Sequence, residues 1–478
     1  MNNVRDWARG AYARLPGSTR RFVGPLAGML PTTVRYGGTF RGWQQRIARS
    51  RIDPAFAVAS QTEALQLVVD GARRLSPFYA ARFNAAFGAG VSVDAILAGW
   101  SRLPILTADL VSSDPRSLCT EDPDALDTTS TGGTSGHPLT FYIDRWRSPV
   151  EFAFVMSAWQ RAGCTLETWR AAFRGFAIPD FPQRIVDVDH GLREVKISVF
   201  HVSDALIPRY LEEIERRGVT CLQGYPSALA LFAAGLRRLG LGPVHRIHSI
   251  VMSSERLYAH HRTLIGAVFP QAQIVPYYGL SEKCAFASEV PDQPDHYDFE
   301  PLYGLTELVD DDGQPLTDQG LRGRIISTGL LYPGMPFIRY DTGDRATLVD
   351  LPHAGNAYRL RLSGIEPRNS FEYLVTADQR LVSMLGVCGF HDEMTSVSDY
   401  QVVQTEPGRA LVRLVLVPGT APDEVLPYLK LINSKAGGAI TFNFEIVGAL
   451  PRTNRGKCRF IEQRIDITAL ELRSGVLV

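Results

Sequence analysis

The sequence predicts an α/β protein, α+β overall. A large N-terminal domain with parallel and mixed sheets and crossover helices precedes a small mobile α+β domain. Between residues 206 and 278, apolar runs of strand length alternate with amphipathic segments of helix length, a pattern typical of a parallel sheet with crossover helices. From about residue 303 short strand-like runs replace this alternation. The 478 residues of the chain are enough for two or three domains.

The composition is that of an ordinary soluble globular protein. Lys and Arg number 50 and Asp and Glu also number 50, so no net charge favours nucleic acid or an acidic membrane surface. An early apolar run is too short and too broken by Pro and Gly to span a bilayer. The six cysteines are widely spaced, and we expect free or buried thiols in a reducing cytoplasm. We therefore expect a cytoplasmic protein without nucleic-acid or membrane partners.

The large domain is predicted to begin with helices and to continue as alternating strands and helices. Apolar residues recur at helical spacing within 53–75, so the chain to about residue 110 is expected to be mostly helical. The predicted elements that follow are a helix at 206–218, a strand at 219–223, a helix at 226–240, a strand at 247–253, a helix at 258–270 and a strand at 272–278.

Short strands and a second domain are predicted for the rest of the chain. Residues 305–316 should form a hairpin around Asp312-Gly313, because Asp-Gly suits a tight turn. Further strands are expected at 323–331 and 335–349, a hairpin at 400–419, a helix at 421–438 and a strand at 440–447. We place the domain boundary between 365 and 366, which gives domains 1–365 and 366–478.

Polar clusters follow three of the predicted strands, at 224–227, 253–255 and 278–282. Ligands of open α/β sheets bind beyond the carboxyl ends of the strands. The sequence therefore predicts one site assembled from these three loops.

A loop rich in Thr, Ser and Gly occupies residues 128–138. Its glycines allow close backbone approach to a ligand, and its backbone N–H groups and hydroxyls are donors suited to phosphate. It lacks the Lys of a Walker A loop. A flexible linker is the alternative, but the strand-like run directly after it favours a phosphate-binding hairpin.

Three further motifs carry groups suited to a nucleotide. Residues 278–282 combine an aromatic ring with Glu282, a possible Mg²⁺ ligand. Residues 338–344 carry carboxylates able to accept ribose hydroxyls. A basic loop at 451–459 includes Lys457. Each motif alone is also compatible with a solvated strand end, a surface hairpin or a basic turn.

The order of these four motifs resembles that of the adenylate-forming acyl-CoA synthetase and ligase superfamily. A closer resemblance is to its phenylacetate–CoA ligase-like, CapK-type group, which is associated with capsular polysaccharide clusters. The segments that carry it are 35–43, 103–111, 223–233, 278–289 and 300–313. The resemblance extends from about residue 35 to about residue 465.

The resemblance implies roles for individual residues. Lys457 would contact the carboxylate and the α-phosphate, Glu282 would hold Mg²⁺ and Asp344 would bind ribose. The hydroxyls of Thr131, Thr134 and Ser135, with Gly133 and Gly136, would hold the β- and γ-phosphates of ATP. Tyr278 would pack against adenine, in one loop with Gly279 and Ser281, and Arg368 would lie at the hinge before the small domain. Tyr225, Ser254 and Tyr277 would line the acyl pocket, where two Tyr residues favour an aromatic or flat acid.

The implied reaction is ATP-dependent activation of a small carboxylic acid to an acyl-adenylate, with release of pyrophosphate and acyl transfer to coenzyme A. An amine, hydroxyl or carrier-protein thiol is an alternative acceptor. A catalytically inactive nucleotide-binding protein is a second alternative, because His137 stands where many members have Lys and Pro367 stands where the hinge usually has Gly.

Overall fold

A computed structural model describes residues 19, 26, 36–130, 139–366, 373–383, 396–416, 419–450 and 461–467. The α-helices are α1 (Gly37–Ile52), α2 (Pro54–Leu75), α3 (Pro77–Phe87), α4 (Val93–Ala98), α5 (Ala108–Ser113), α6 (Ser148–Arg161), α7 (Ile207–Arg216), α8 (Pro226–Arg238), α9 (Ala259–Val268) and α10 (Leu426–Ala436). From residue 36 to about residue 110 the predicted mostly helical start is confirmed, and the rest of that prediction lies outside the described residues apart from residues 19 and 26. Helix α2 begins after Asp53, whose carboxylate accepts a hydrogen bond from the Phe56 backbone N–H at 3.0 Å, a typical N-cap.

The strands are β1 (Asp127–Ser130), β2 (Thr140–Ile143), β3 (Arg170–Arg174), β4 (Asp187–Asp189), β5 (Glu194–Ser198), β6 (Cys221–Gly224), β7 (Ser249–Met252), β8 (Gln273–Gly279), β9 (Phe286–Val290), β10 (Gln293–Phe299), β11 (Gly304–Val309), β12 (Arg322–Gly329), β13 (Tyr340–Asp350), β14 (Arg361–Glu366), β15 (Tyr373–Val375), β16 (Leu381–Ser383), β17 (Val397–Glu406), β18 (Arg409–Leu416), β19 (Thr441–Ile446) and β20 (Ile461–Gln463). A 12-stranded mixed sheet has the order β11-β12-β13-β14-β10-β9-β8-β7-β6-β3-β5-β4.

Strands β5, β3, β6, β7 and β8 are neighbours and run parallel. Helices α8 and α9 connect β6 to β7 and β7 to β8, as the alternating pattern predicted. Because these strands are parallel, their carboxyl ends lie at one edge of the sheet. The three predicted polar loops therefore leave the sheet at the same edge.

The antiparallel strands β9 to β14 continue the same sheet. The predicted turn after β11 is present, but the arm after it makes only an isolated bridge between Val309 and Pro315. The main partner of β11 is β12, because Leu308 of β11 and Ile325 of the longer strand β12 are buried in the same hydrophobic core. The predicted strand at 335–349 begins only at Tyr340.

A smaller C-terminal unit contains β15 to β20 and helix α10. Its main sheet has the order β19-β18-β17-β20, and the predicted hairpin is formed by β17 and β18. The unit packs on the segment after β5: the Arg380 guanidinium donates to the backbone oxygens of Phe200, at 3.1 Å, and Val202. Strand β14 ends at Glu366, and the domain boundary between 365 and 366 remains a prediction.

A carboxylate in the core of the large sheet is held by arginines. Glu300 is fully buried, with Oε1 3.0 Å from Arg51 Nη2 and Oε2 3.1 Å from Arg359 Nη2. Burial alone would raise the pKa of Glu300, but Arg359, Arg51 and Arg161 outweigh it and lower the pKa to about 2. The charge is thus fully compensated within the core.

The cysteine prediction was wrong in part. Cys164 and Cys221 form a disulfide between the segment after α6 and the start of β6, whereas Cys119 and Cys284 are buried free thiols. The two bridged residues are 57 positions apart, and the packing of α6 against the sheet brings them together. No helix within the described ranges combines the length and the apolar character needed to cross a bilayer.

Candidate functional site

The first two polar loops are tied together at the sheet edge. Helix α8 begins directly after Tyr225 with Pro226 at its first position, and the Ser227 backbone N–H donates to Glu255 Oε2 at 3.0 Å. A carboxylate at a helix N-terminus satisfies a free N–H and complements the helix dipole. The loop after β6 and the loop after β7 therefore hold each other in position.

The loop after β7 turns sharply at Ser254. This residue has φ of 72°, a left-handed conformation that is uncommon for a residue other than glycine. The preceding Ser253 accepts a hydrogen bond at its Oγ from Arg174 Nη2 at 3.3 Å. The turn thus keeps the loop beside the carboxyl end of β3.

Arg174 is a site residue that the sequence reasoning missed. It ends β3, and its guanidinium carbon lies 5.9 Å from the centre of the Tyr225 ring. It also interacts electrostatically with the Tyr277 side chain. Arg174 therefore lies beside Tyr225 and Tyr277, which were predicted to line the acyl pocket, and contacts the residue before the predicted Ser254. The available signal was a cation directly after an apolar run and before Gly175.

Tyr278 and Asp344, two residues that were predicted to bind the nucleotide, lie in contact. The Tyr278 hydroxyl donates to Asp344 Oδ2 at 2.6 Å, although 66 positions separate the two residues. Burial and the neighbouring Asp344 carboxylate raise the pKa of Tyr278 well above its ordinary value. Asp344 lies within β13, inside the strand that was predicted at 335–349.

Glu282 is buried beside the start of β13. Its Oε1 accepts a hydrogen bond from the Tyr340 hydroxyl at 2.9 Å, and its Oε2 has no donor among the described residues. Mg²⁺ is commonly bound by one or two carboxylates together with substrate phosphates and waters. A single carboxylate with one open oxygen therefore fits a Mg²⁺ ion that is shared with ATP.

The remaining predicted residues fall into two groups. Gly279 and Ser281 are exposed in the loop between Tyr278 and Glu282. Thr131, Gly133, Thr134, Ser135, Gly136, Arg368 and Lys457, together with His137 and Pro367, lie outside the described residues. The first three residues of the predicted loop, 128–130, lie in β1, which pairs antiparallel with β2 at 140–143, as the predicted hairpin requires.

The fold is that of the adenylate-forming ligases. The solved structure of 2-hydroxyisobutyryl-CoA ligase in complex with 2-HIB-AMP and CoA, in the thioesterification state, matches 90% of this chain and 94% of its own with a TM-score of 0.53 at 14% sequence identity. The same ligase in its postadenylation state, in complex with R3-HIB-AMP, matches with a TM-score of 0.51 at 15% identity and the same coverage.

A sequence relative gives the closer resemblance. Protein CapK of Staphylococcus aureus is 21% identical over 374 residues, which are 76% of this chain and 80% of that protein. Models of known protein families give no match. The predicted resemblance to the adenylate-forming superfamily and to its CapK-type group is confirmed.

Proposed function

We propose that this chain is an ATP-dependent, AMP-forming carboxylic acid ligase. It joins a small carboxylic acid to the α-phosphate of ATP, releases pyrophosphate and transfers the acyl group to coenzyme A. The observation that carries the proposal is the contact between two of the four motifs, in which the Tyr278 hydroxyl donates to Asp344. This contact lies at the end of the strand whose carboxyl end shares one sheet edge with the loops at 224–227 and 253–255. The ligase fold supports it.

The chemistry requires a compensating positive charge. A carboxylate that attacks the α-phosphorus brings two anions together, and charge builds on the phosphoryl oxygens as the bond to pyrophosphate breaks. Lys457 would neutralise the reacting oxygens. Mg²⁺ held by Glu282 would neutralise the phosphates when bound, and the 131–136 loop would hold the β- and γ-phosphates through its hydroxyls and backbone N–H groups.

Asp344 is proposed to bind the ribose hydroxyls of ATP. We expect Asp344→Ala to raise the Kd for ATP by about 10- to 100-fold, because hydrogen bonds to a charged acceptor contribute about 1.5–3 kcal/mol. Isothermal titration calorimetry measures this change. Tyr278→Phe is the matched control: it removes the hydroxyl that Asp344 accepts but keeps the ring for the base, so we expect a smaller change in Kd. Equal losses in the two variants would contradict the ribose role of Asp344.

The acceptor is proposed to be coenzyme A. The neighbouring ligase structure that contains CoA supports this choice, and ATP and CoA are both supplied in the cytoplasm, where we propose that the enzyme works. Amines, hydroxyl compounds and carrier-protein thiols are the other acceptors to be tested.

The function is tested by exchange of labelled pyrophosphate into ATP across a panel of aryl and aliphatic acids. We expect exchange that depends on one class of acid and on Mg²⁺. Addition of CoA should then release AMP and a thioester, detected by mass spectrometry. ATP binding without exchange for any acid would favour a nucleotide-binding protein without turnover. If amines but not CoA consumed the adenylate, the acceptor would be an amine.

A further inference from the structure

A cation without a carboxylate partner lies at the carboxyl end of β3. The Arg174 guanidinium donates to the neutral Ser253 hydroxyl at 3.3 Å, and the side chain that acts most strongly on it electrostatically is Tyr277. Its Nε is buried and has no hydrogen-bond acceptor. Within the described ranges no carboxylate lies at ion-pair distance from this guanidinium.

The carboxylate that acts on Arg174 electrostatically, Glu194, is already paired with another arginine. Glu194 acts on Arg174 electrostatically, but its Oε2 accepts hydrogen bonds from Arg170 Nε at 3.1 Å and Nη2 at 2.8 Å. A guanidinium stays charged at physiological pH, and burying it without a counter-ion is costly. The Arg174 charge is therefore left to be compensated by something that enters the pocket.

Arg174 lies on the opposite side of the sheet from the residues that are proposed to bind the nucleotide. Its neighbour Tyr277 packs against the core cluster that contains Phe286 and Tyr303, whereas Tyr278 packs against a second core cluster on the other side of the sheet. Neighbouring residues of a strand point to opposite faces. Arg174 thus faces the predicted acyl pocket, while Asp344 faces the nucleotide.

We propose that Arg174 selects acids that carry a second anionic group, held by its guanidinium between the Tyr225 and Tyr277 side chains at the end of the acyl pocket remote from the reacting carboxylate. The planar guanidinium offers paired N–H donors that match a carboxylate. The Tyr225 ring, 5.9 Å from the guanidinium carbon, would limit the group to a flat or slender one. This inference rests on the proposed function, since it names the substrate class of the same site.

The test compares matched acids that differ in the second anionic group. Terephthalate is paired with 4-methylbenzoate and glutarate with pentanoate, so that a methyl group replaces one carboxylate in each pair. Binding by calorimetry and pyrophosphate exchange are both measured. We expect the diacid of at least one pair to be preferred by about tenfold to a hundredfold. Arg174→Met, which keeps an apolar stem, should abolish the preference, and Arg174→Lys should restore part of it. Arg238→Met, at an exposed pair with Asp204, is the control and should leave it unchanged.

The outcomes separate this inference from the proposed function. Diacid binding that depends on Arg174 but gives no pyrophosphate exchange would support the role of Arg174 and contradict the proposed ligase activity. Exchange only with the monocarboxylic acids, or failure of every diacid to bind, would overturn the role of Arg174. The proposed reaction type would then still be decided by whether pyrophosphate exchange occurs. Equal loss of binding for both members of a pair in Arg174→Met would also overturn it, because Arg174 would then hold the reacting carboxylate. Loss of ATP affinity alone would place Arg174 on the nucleotide.

Discussion

Replacing Lys457 by alanine is expected to lower the rate of pyrophosphate exchange by about 10²- to 10³-fold, the usual cost of removing one preorganised charge-stabilising donor. The loss should fall on kcat, because the proposed role of Lys457 is to stabilise the charge that builds during the attack on the α-phosphorus. The Kd for ATP should change little. Exchange kinetics and calorimetry on the same preparations measure both quantities.

Two controls accompany the Lys457 variant. Lys457→Arg keeps the charge but changes its shape, and should recover only part of the rate. Lys430→Ala removes an exposed lysine from helix α10 of the same C-terminal unit, and should leave exchange unchanged. Pyrophosphate exchange at the parent rate in Lys457→Ala would contradict a role of this residue in adenylation. An equal decrease of the exchange rate in Lys430→Ala would point to a general effect of positive charge in this part of the chain.

Replacing Glu300 by glutamine is expected to destabilise the protein by about 3–5 kcal/mol, the usual cost of breaking a buried ion pair by removing one partner. The variant leaves Arg51 and Arg359 with a neutral amide in place of a carboxylate that is fully buried. Chemical unfolding followed by tryptophan fluorescence measures the change. Asp311→Asn is the control, since Asp311 pairs with Arg345 but its side chain is 78% exposed, and it should shift the transition only slightly.

The Glu300 contribution should also depend on pH. Its pKa is lowered from 4.5 to about 2 in the folded protein, so its contribution is fully present above pH 4.5 and is lost as the pH falls through about 2. A shift of this size corresponds to about 3 kcal/mol. The stability difference between the parent and Glu300→Gln should therefore narrow below pH 4.5, and a difference that stays constant down to pH 2 would contradict the assigned pKa.

The sequence predicted the elements whose signals are local. Helix α8 has Pro226 near its start and a regular apolar face, and the strands that flank it are short apolar runs bounded by polar loops. These patterns suffice to predict that the strands are parallel, and hence that the loops at 224–227, 253–255 and 278–282 leave one edge of the sheet, because the carboxyl ends of parallel strands lie together. The motif order then indicated the ligase fold.

Contacts between distant parts of the chain were beyond the sequence. Arg174 closes a strand with only three apolar residues between two arginines, which is too short a pattern to identify, and its position beside Tyr277 depends on sheet order. The Cys164–Cys221 bridge joins segments that local spacing cannot relate. The strand predicted at 335–349 begins only at Tyr340, because the residue before it, Arg339, adopts a left-handed conformation with φ of 48°.

The alternation of side chains along β8 bears on how the proposed substrate specificity would change. The consecutive residues Tyr277 and Tyr278 point to opposite faces of the sheet: Tyr277 interacts electrostatically with Arg174, and the Tyr278 hydroxyl donates to Asp344. Under the proposed roles, one strand separates the residues for the acid from those for ATP. Substitutions at Tyr277 or Arg174 are then expected to change which acid is accepted while ATP binding is retained, whereas a one-residue shift in the register of this strand would disrupt both sites.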